Sequence, residues 1–289
     1  MTTRAGRLSI VATPIGNLED ITLRALRTLR EADLVLAEDT RRTRVLLQQH
    51  GMSKKLWSYH AHSGPRETEK VLELLAEGQQ IALVTDAGTP LVSDPGAELV
   101  REAQAQGFVV ESIPGPSAVL AALTVCGLTA DSFRFAGFLP RSGKRRREAL
   151  AELAKDRSAT VFFESPQRVA ATLRDLAAVL APDRELAVCR ELTKLHEEVA
   201  RGFAAELAER FAEGARGEIT LVVSGAPRAA ESEITPETEA NLDARITAML
   251  GAGETPRDVV RALQPETALS KPALYARVLK LRGAPEEDD

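Results

Sequence analysis

The chain has 289 residues, a length that suits two domains or one large one. Its 37 basic and 42 acidic residues give a net charge of −5. That balance excludes a protein that coats nucleic acid through bulk positive charge, although it allows a local basic patch. Hydrophobic residues make up 44% and charged residues 27% of the chain, which excludes a disordered protein and predicts a globular one.

The cysteines and the N-terminal segment bear on the compartment. Cys126 and Cys189 are too few for a disulfide framework and too far apart for a zinc knuckle, so we expect two buried thiols. The apolar stretch 8–13 is shorter than the core of a signal peptide and runs directly into Pro14. No apolar run in the sequence approaches the ~18–20 residues that span a bilayer. These features predict a cytoplasmic protein with no membrane partner.

Short apolar runs alternate with helical patterns in the first half of the chain. Strands are predicted at 8–13, 33–38, 56–60, 81–85 and 108–113, and helices at 21–29, 43–49, 67–76, 97–106 and 117–126. This βαβα order predicts a largely parallel sheet with helices on its faces.

A similar series then begins again. Strands are predicted at 133–138, 160–164, 185–191 and 218–224, and helices at 144–155, 166–180 and 204–213. A polar linker follows, then three short helices at 237–250, 256–263 and 271–281 and an acidic tail. We therefore predict an α/β fold with two α/β domains, 1–128 and 129–226, and a small helical extension, 227–289.

Three loops that follow predicted strands of the first half are rich in glycine and proline. They cover residues 13–17, 85–96 and 114–118. Glycine lets a backbone approach a ligand closely, and proline fixes the shape of a loop. One such loop would be explained by a tight turn. Three of them at the carboxyl ends of strands favour a shared ligand cleft.

Several familiar motifs are absent. No G-x-G-x-x-G opens a helix, and no G-x-S-x-G is present, which argues against a dinucleotide site and against a hydrolase nucleophile. The segment 137–144 has the wrong spacing for a phosphate-binding P-loop, and Arg145 follows its lysine where Ser or Thr is needed. His60 and His62 lack a third ligand nearby, so we expect no metal site.

Three charged clusters remain. Glu38 and Asp39 precede two arginines where the second strand ends, a pattern that also fits a helix capped by Asp39. The segment 190–198 follows a strand of the second half, and its composition favours a solvated loop. A third cluster lies at the start of a helix, where positive charges interact unfavourably with the helix dipole. Because a bound phosphate would offset that cost, the cluster favours contact with phosphate. Its members are Arg141, Lys144, Arg145, Arg146 and Arg147.

Six motifs occur here in the order of a known family. They are VATPIGNL at 11–18, AEDTR at 37–41, DAGTP at 86–90, PGPSA at 114–118, GFLP at 137–140 and FESP at 163–166. The chain from about residue 8 to 225 resembles the tetrapyrrole methylase superfamily, in particular its branch that methylates small-subunit ribosomal RNA. The resemblance implies two α/β domains of the class III methyltransferase type, with S-adenosylmethionine (AdoMet) between them, in a homodimer. It also implies methyl transfer to the ribose 2′-oxygen of a cytidine in the decoding region of 16S rRNA, within the small ribosomal subunit.

The resemblance also implies roles for individual residues. The superfamily often has Asp where Thr89 stands, so at Thr89 only backbone contacts with the cofactor are expected. The residues that match cofactor-binding positions of the family are Pro14, Gly88, Thr89, Val92, Ser117, Ala118, Phe163 and Glu164.

Methyl transfer to a hydroxyl needs a base near that hydroxyl. The candidates on cleft-side loops are Glu38, Asp39, Asp86 and Lys194, and the sequence leaves the choice among them open. Lys194 is a base only if burial lowers its pKa, and otherwise a stabilising cation. Arg41, Arg42 and the basic cluster at 141–147 are the candidates for RNA phosphates.

Two other functions stay open at this point. One is a methyltransferase of the same fold that acts on a tetrapyrrole or another small molecule. The other is an RNA-binding module without catalysis, which would use the basic cluster and the C-terminal helices. The family motifs at 38–41 and 13–17 favour the RNA methyltransferase, and the basic segment 144–147 also suits an RNA substrate better than a tetrapyrrole.

Overall fold

A computed structural model describes residues 5–60, 63–227, 236–264, 267, 269 and 271–282. The chain forms two compact units, Met1–Ala226 and Pro227–Asp289. His62, the acidic tail and nearly all of the predicted linker lie outside the described residues.

The first unit begins with a five-stranded parallel sheet, as the sequence predicts. Its strands are β1 (Arg7–Val11), β2 (Leu34–Ala37), β3 (Leu56–Ser58), β4 (Gln80–Val84) and β5 (Val109–Ile113), in the order β3-β2-β4-β1-β5. The inner strands β2 and β4 are buried along their whole length, which explains why they read as continuous apolar runs.

Five helices connect and flank these strands. They are α1 (Leu23–Glu31), α2 (Thr40–Gln49), α3 (Pro65–Ala76), α4 (Ala97–Ala105) and α5 (Ala118–Val125). Side chains of Thr22, Asp39 and Ser117 cap the first turns of α1, α2 and α5 by accepting hydrogen bonds from backbone N–H groups. Caps of this kind fix where each helix begins at the edge of the sheet.

A second five-stranded sheet follows in the same unit. Its strands are β6 (Phe133–Phe138), β7 (Ala159–Glu164), β8 (Glu185–Arg190), β9 (Glu198–Phe203) and β10 (Ile219–Val223), in the order β6-β7-β10-β8-β9. Helices α6 (Gly143–Lys155), α7 (Val169–Val179) and α8 (Ala204–Arg210) accompany them. Only β6 and β7 pair in parallel, and the other three pairings are antiparallel, so this sheet does not repeat the first.

Strand β9 was not predicted. It pairs only with β8 and carries charged Glu198 and Arg201, which give it the composition of a loop. The charged side chains form ion pairs with residues of β8, Arg190 and Glu185 respectively. An edge strand of this kind is stabilised by backbone pairing and cross-strand ion pairs. Its sequence therefore shows only a weak hydrophobic pattern from which a strand could be predicted.

Helix α5 joins the two sheets through a shared core. Val119 and Ala122 of α5 and Ile15 of the first loop belong to one buried cluster with Val161 and Val222 of the second sheet. Cys126 and Cys189 lie in the same cluster as free, buried thiols, as expected. Burial raises the pKa of Cys189 to about 12, so this thiol stays neutral. The predicted division at 128–129 falls between α5 and β6, and separate domains there stay a prediction.

The second unit contains three helices, which confirms the prediction of a helical extension. They are α9 (Pro236–Gly251), α10 (Pro256–Leu263) and α11 (Lys271–Arg282). Buried Ile246, Val260, Leu263, Leu274 and Val278 form their common core. Among the helices of the described residues, none is long and apolar enough to cross a membrane.

A buried arginine holds the second sheet to its helices. Arg184 is only 3% exposed, and its guanidinium donates hydrogen bonds to the carbonyls of Ser224 (2.8 Å), Leu153 (3.0 Å) and Asp156 (3.1 Å). Burial lowers the pKa of Arg184, which shows the cost of removing this charge from water. The bonds join the end of β10 to the end of α6.

We predict that Arg184→Ala lowers the free energy of unfolding by about 3 kcal/mol, because several buried carbonyls lose a charged donor at once. Urea denaturation measures this loss. Arg174→Ala on the exposed face of α7 is the control and should change stability by less than about 0.5 kcal/mol. Equal effects of the two substitutions would show that the Arg184 hydrogen bonds do not stabilise the fold.

Candidate functional site

The three glycine- and proline-rich loops are bound to one another at the carboxyl edge of the first sheet. Thr13 and Gly88 exchange two backbone hydrogen bonds, of 2.9 and 3.0 Å, which join the first loop to the second. The hydroxyl of Thr89 donates to the carbonyl of Pro116 at 3.1 Å and joins the second loop to the third. Gly88 has φ +81°, a conformation that favours glycine. The loops therefore form one continuous rim.

Strained backbone is confined to two loops of this region. In the described part of the chain, four non-glycine residues have positive φ: Leu91, Ser93, Glu191 and Thr193. The first two belong to the loop after β4, and the others to the loop after β8. Strain of this kind persists where the surrounding structure enforces it, and it clusters at functional sites.

The second sheet contributes its own edge. Because β10 is antiparallel to β7 and β8, the start of β10 lies beside the ends of those two strands. Thr220 of β10 thus pairs with Phe163 of β7 on one side and with Cys189 of β8 on the other. Across the cleft, the N–H of Asn17 donates to the hydroxyl of Thr193 at 3.1 Å. The edges of the two sheets are therefore in direct contact.

Two adjoining cavities occupy the cleft, and each has a volume of about 420 Å³. The first cavity is lined on one side by the loops after β4 and β5 and on the other by the second sheet. The second cavity is lined by the loop after β1 and by helix α2. They share part of their wall, notably Arg42, Asp86 and Glu218. Volumes of this size are typical of small-molecule sites, and the shared wall makes the two cavities one two-part site.

The predicted cofactor residues fall unevenly into these cavities. Pro14 lines the second cavity and is absent from the wall of the first. The residues of the prediction that line the first cavity are Gly88, Thr89, Val92, Ser117, Ala118, Phe163 and Glu164. The geometry thus brings seven of the eight together.

Glu164 has a different environment from the other seven. Its side chain is fully buried, and its carboxylate accepts hydrogen bonds from Thr172 (2.6 Å) and from the N–H of Ser165 (2.7 Å) and pairs with Arg168 (3.3 Å). These partners leave the carboxylate little capacity for a ligand. Phe163, by contrast, makes an edge-to-face contact with Phe138 at 5.6 Å between ring centroids, and both rings line the first cavity.

Three carboxylates, those of Glu38, Asp86 and Asp94, line the first cavity together with Thr85. The Thr85 hydroxyl donates to Glu38 at 3.0 Å. Asp86 follows Thr85 directly, and all three carboxylates line the cavity. A hydroxyl has one proton, so it satisfies only one carboxylate at a time. Asp94 was not among the predicted site residues, although the loop that contains it, 85–96, was predicted to border a ligand.

Asp86 lies at the junction of the two cavities. Its Oδ1 accepts a hydrogen bond from the N–H of Asp39 at 2.9 Å, and its Oδ2 is 3.5 Å from the Arg42 guanidinium. Burial raises the pKa of Asp86, and the nearby negative charge of Glu38 adds to this effect. Burial likewise raises the pKa of Asp94. Groups in a cleft with pKa values shifted in this way are typical of functional sites.

Lys194 lines the second cavity as a cation. Its ammonium group is 2.7 Å from Glu191 and 3.2 Å from Glu218. Burial opposes the charge, but the hydrogen bonds and charges of the two carboxylates outweigh it and raise the pKa of Lys194. The alternative of Lys194 as a base requires a lowered pKa; the two carboxylates favour the other alternative, a stabilising cation, and the choice stays a prediction. A β-carbon at Gly16 would collide with the Lys194 side chain, so glycine there permits the approach.

Asp39 lines neither cavity. Its carboxylate caps α2 by accepting from the N–H of Arg41 at 2.8 Å and also binds the Arg41 guanidinium at 2.6 Å. Arg41 holds the pKa of Asp39 at about 2, well below its usual range. Arg41 is exposed outside the cavities, whereas Arg42 lines both of them.

The basic cluster at the start of α6 divides into two groups. Arg141, Lys144, Arg145 and Arg147 are exposed, and Lys144 forms only an exposed pair with Glu148. Arg146 is buried, and it donates hydrogen bonds to Asp175, Thr172 and the Pro140 carbonyl at 2.8, 3.0 and 3.0 Å. Its donors therefore join α6 to α7, which sets Arg146 apart from the four exposed cations, and RNA binding by Arg146 stays a prediction that this geometry does not favour.

No group of three or more metal-ligating side chains occurs in the part of the chain that the structure describes.

The raised pKa of Asp94 makes a prediction about stability. When folding raises the pKa of a carboxyl, the folded state is favoured at a pH below the unfolded pKa, where the carboxyl is protonated. That contribution to the free energy of unfolding is lost as the pH rises through the pKa of the folded state. Asp94→Asn should therefore raise the melting temperature at pH 7, and the gain should disappear near pH 3, where the native carboxyl is protonated as well. Calorimetry at the two pH values measures the difference. A variant that is less stable at pH 7 would contradict this account of Asp94.

Comparisons with known proteins agree with this architecture. The sequence profile described as "Tetrapyrrole (Corrin/Porphyrin) Methylases" matches residues 7–208. A Thermotoga maritima protein named "Ribosomal RNA small subunit methyltransferase I" is 50% identical over 221 residues, which are 76% of this chain and 99% of that protein. A protein of the same name from Escherichia coli O157:H7 is 42% identical over 282 residues, 96% of each chain.

A solved structure shows a similar fold. Uroporphyrin-III C-methyl transferase from Thermus thermophilus, "complexed with S-adenyl homocysteine", superposes with a TM-score of 0.54 at 22% identity. The match covers 75% of this chain and 97% of that one. At this identity the similarity concerns the fold of the two sheets.

Proposed function

The chain belongs to the tetrapyrrole methylase family, in its ribosomal RNA small subunit methyltransferase I branch, and we propose that it transfers a methyl group from AdoMet to the ribose 2′-oxygen of a cytidine in the decoding region of 16S rRNA. One observation carries the proposal: two small-molecule-sized cavities share a wall that holds a half-buried carboxylate, Asp86, and a cation, Arg42. Such a site accommodates a methyl donor on one side and an acceptor on the other. The relatives' names support the rRNA substrate, and the family resemblance supports the 2′-oxygen, a homodimer and action in the cytoplasm on the small subunit.

The first cavity fits AdoMet, which has a positively charged sulfur and an ammonium group. Five acidic residues line this cavity and only one basic one; the acidic residues are Glu38, Asp86, Asp94, Glu164 and Glu218. Four of them retain carboxylate oxygens that are not already saturated by buried partners, Glu164 being the exception. The rings of Phe138 and Phe163 offer an apolar surface for an adenine base. Thr89, bonded to Pro116, would contribute its backbone.

The chemistry requires a proton to leave the acceptor. Bound AdoMet supplies an electrophilic methyl group, and the ribose oxygen that takes it must lose its hydrogen. Asp86 faces both cavities, and its raised pKa strengthens it as a base compared with an ordinary aspartate. We assign the base role to Asp86. Asp39 then has a positioning role, since its N–H holds the Asp86 carboxylate and its own carboxylate caps α2.

The second cavity provides the cations that an RNA acceptor needs. Lys194 and Arg42 line it from opposite sides of the cleft, one from the second sheet and one from α2. A ribose in this cavity has phosphates on both its 3′ and 5′ sides, and a cation near each would hold the sugar in register. Holding the hydroxyl in place accounts for much of the acceleration expected of such a site.

The experiment that tests the proposal is transfer of tritium from methyl-labelled AdoMet. The acceptors are 16S rRNA, assembled small subunits and a tetrapyrrole such as uroporphyrin III. We expect label in RNA, at a ribose 2′-oxygen after nuclease digestion. Label in the tetrapyrrole alone would support the small-molecule alternative, and tight RNA binding with no transfer would support the non-catalytic one.

Asp86→Asn should lower the single-turnover rate by roughly 10²-fold at saturating AdoMet and RNA, the low end for a lost proton acceptor. The rate of the unsubstituted protein should rise with pH through the raised pKa of Asp86, and the variant should lose that rise. Asp39→Asn is the matched control: it should lower the melting temperature and leave the rate within a few-fold. A normal rate in Asp86→Asn would remove this residue from catalysis.

The exposed part of the basic cluster generates a second prediction. Replacing Lys144, Arg145 and Arg147 together by alanine should weaken RNA binding and reduce the dependence of log Kd on log salt by about 2 to 3, because three phosphate contacts are lost. AdoMet affinity, measured by calorimetry, should not change.

The single variant Arg146→Ala serves as the control for this triple. Its arginine is buried, so it should lower the melting temperature while the salt dependence stays the same. An unchanged salt dependence in the triple variant would show that these three side chains only solvate the start of α6.

A further inference from the structure

Helix α11 is the basic helix of the second unit. Its sequence, KPALYARVLKLR, contains four basic residues and no acidic one, although the whole chain has a net charge of −5. Helices α9 and α10 each combine both signs of charge. The positive charge of this unit is thus concentrated on one element.

One face of α11 is buried and the other is exposed. Leu274 and Val278 are fully buried in the core of the unit. On the exposed face, Tyr275 and Leu279 are 38% and 45% exposed. We call this face the α11 surface; its exposed residues are Lys271, Tyr275, Leu279, Lys280 and Arg282.

The cations of α11 have different partners. Arg277 is directed to the inside of the unit, where its guanidinium binds Asp243 at 2.6 and 2.9 Å. The Arg277 hydrogen bond lowers the pKa of Asp243, and the charge of Lys280 adds a smaller effect in the same direction. Lys271 and Arg282 have no ion-pair partner among the described residues. Two uncompensated cations thus flank an exposed aromatic ring.

We propose that the α11 surface is a second RNA-binding site, distinct from the cleft, that holds substrate RNA outside the methylated nucleotide. Lys271 and Arg282 would contact phosphates, and Tyr275 would stack on an unpaired base. Single-stranded RNA is recognised by this combination of cations and aromatic rings. An acidic protein partner would also bind the cations, but it has no bases that could stack on the exposed ring of Tyr275. RNA accounts for both features. The inference deepens the proposed function and rests on RNA as its substrate.

The position of the surface in the chain supports a role in binding. The family profile ends at residue 208, before the second unit begins. Among the described residues, those that line the two cavities all belong to the first unit. The α11 surface is therefore not needed to build the cleft, and a contribution to affinity is the role that its charge allows.

The test is fluorescence anisotropy with the full chain and a labelled RNA hairpin of the 16S decoding region. The double variant Lys271→Ala/Arg282→Ala should raise Kd about tenfold and reduce the dependence of log Kd on log salt by about 1.5, the value for two single-strand phosphate contacts. Tyr275→Ala should raise Kd about tenfold through lost stacking, and Tyr275→Phe should not.

The matched control is Arg257→Ala/Arg261→Ala, which removes the same charge from the exposed face of α10 in the same unit. It should leave Kd within about twofold, and circular dichroism should show equal helix content in all variants. Equal effects of the two double variants, or no effect of either, would overturn the inference.

Methyl-transfer assays separate this inference from the proposed function. If the inference is right, the Lys271→Ala/Arg282→Ala variant raises KM for RNA and leaves kcat and AdoMet affinity unchanged. If the unsubstituted protein methylates no RNA, the proposed function fails, while the binding measurements still decide whether the α11 surface holds RNA. Normal KM and normal Kd in the variant would overturn the inference alone.

Discussion

The backbone pairing between Thr13 and Gly88 is the constraint on which the site depends. These two hydrogen bonds join loops that follow neighbouring strands, β1 and β4, and the Thr89–Pro116 bond extends the connection to the loop after β5. Without them, each loop would be an independent turn. With them, the edge of the parallel sheet becomes a rigid rim, and helix α5 behind that rim packs on the second sheet. The cavities are a consequence of this arrangement.

The site contains a cluster of negative charges that does not stabilise the fold. Glu38, Asp86 and Asp94 lie near one another with only Arg42 as a cation in the first cavity, and burial raises the pKa of both aspartates. Elsewhere in the unit, buried charges are fully partnered: Arg184 has its carbonyls, and Glu164 has Arg168 and Thr172. A cleft in which carboxylates outnumber cations attracts a cationic ligand, so the destabilisation that the carboxylates cause is offset when that ligand binds.

Much of the fold is predictable from the sequence because its strands are apolar and its helices are periodic. The parallel sheet, the three loops and the C-terminal helices follow from local patterns. Strand β9 does not, because an edge strand with charged side chains has no hydrophobic signal. The inward direction of Arg146 does not follow from the sequence either, because four exposed cations surround it in the chain and its partner Asp175 lies on another helix. Asp94 was not predicted because its place in the same cavity as Glu38 and Asp86 is visible only in space.

The central claim is that the first cavity holds the methyl donor and the second holds the acceptor, with Asp86 between them. A crystal structure with S-adenosylhomocysteine tests this most directly. We predict that the ligand lies in the first cavity, against the loops that contain Gly88 and Ala118, and leaves the second cavity open on the far side of Asp86. A ligand bound in the second cavity, or bound outside the cleft, would contradict the account.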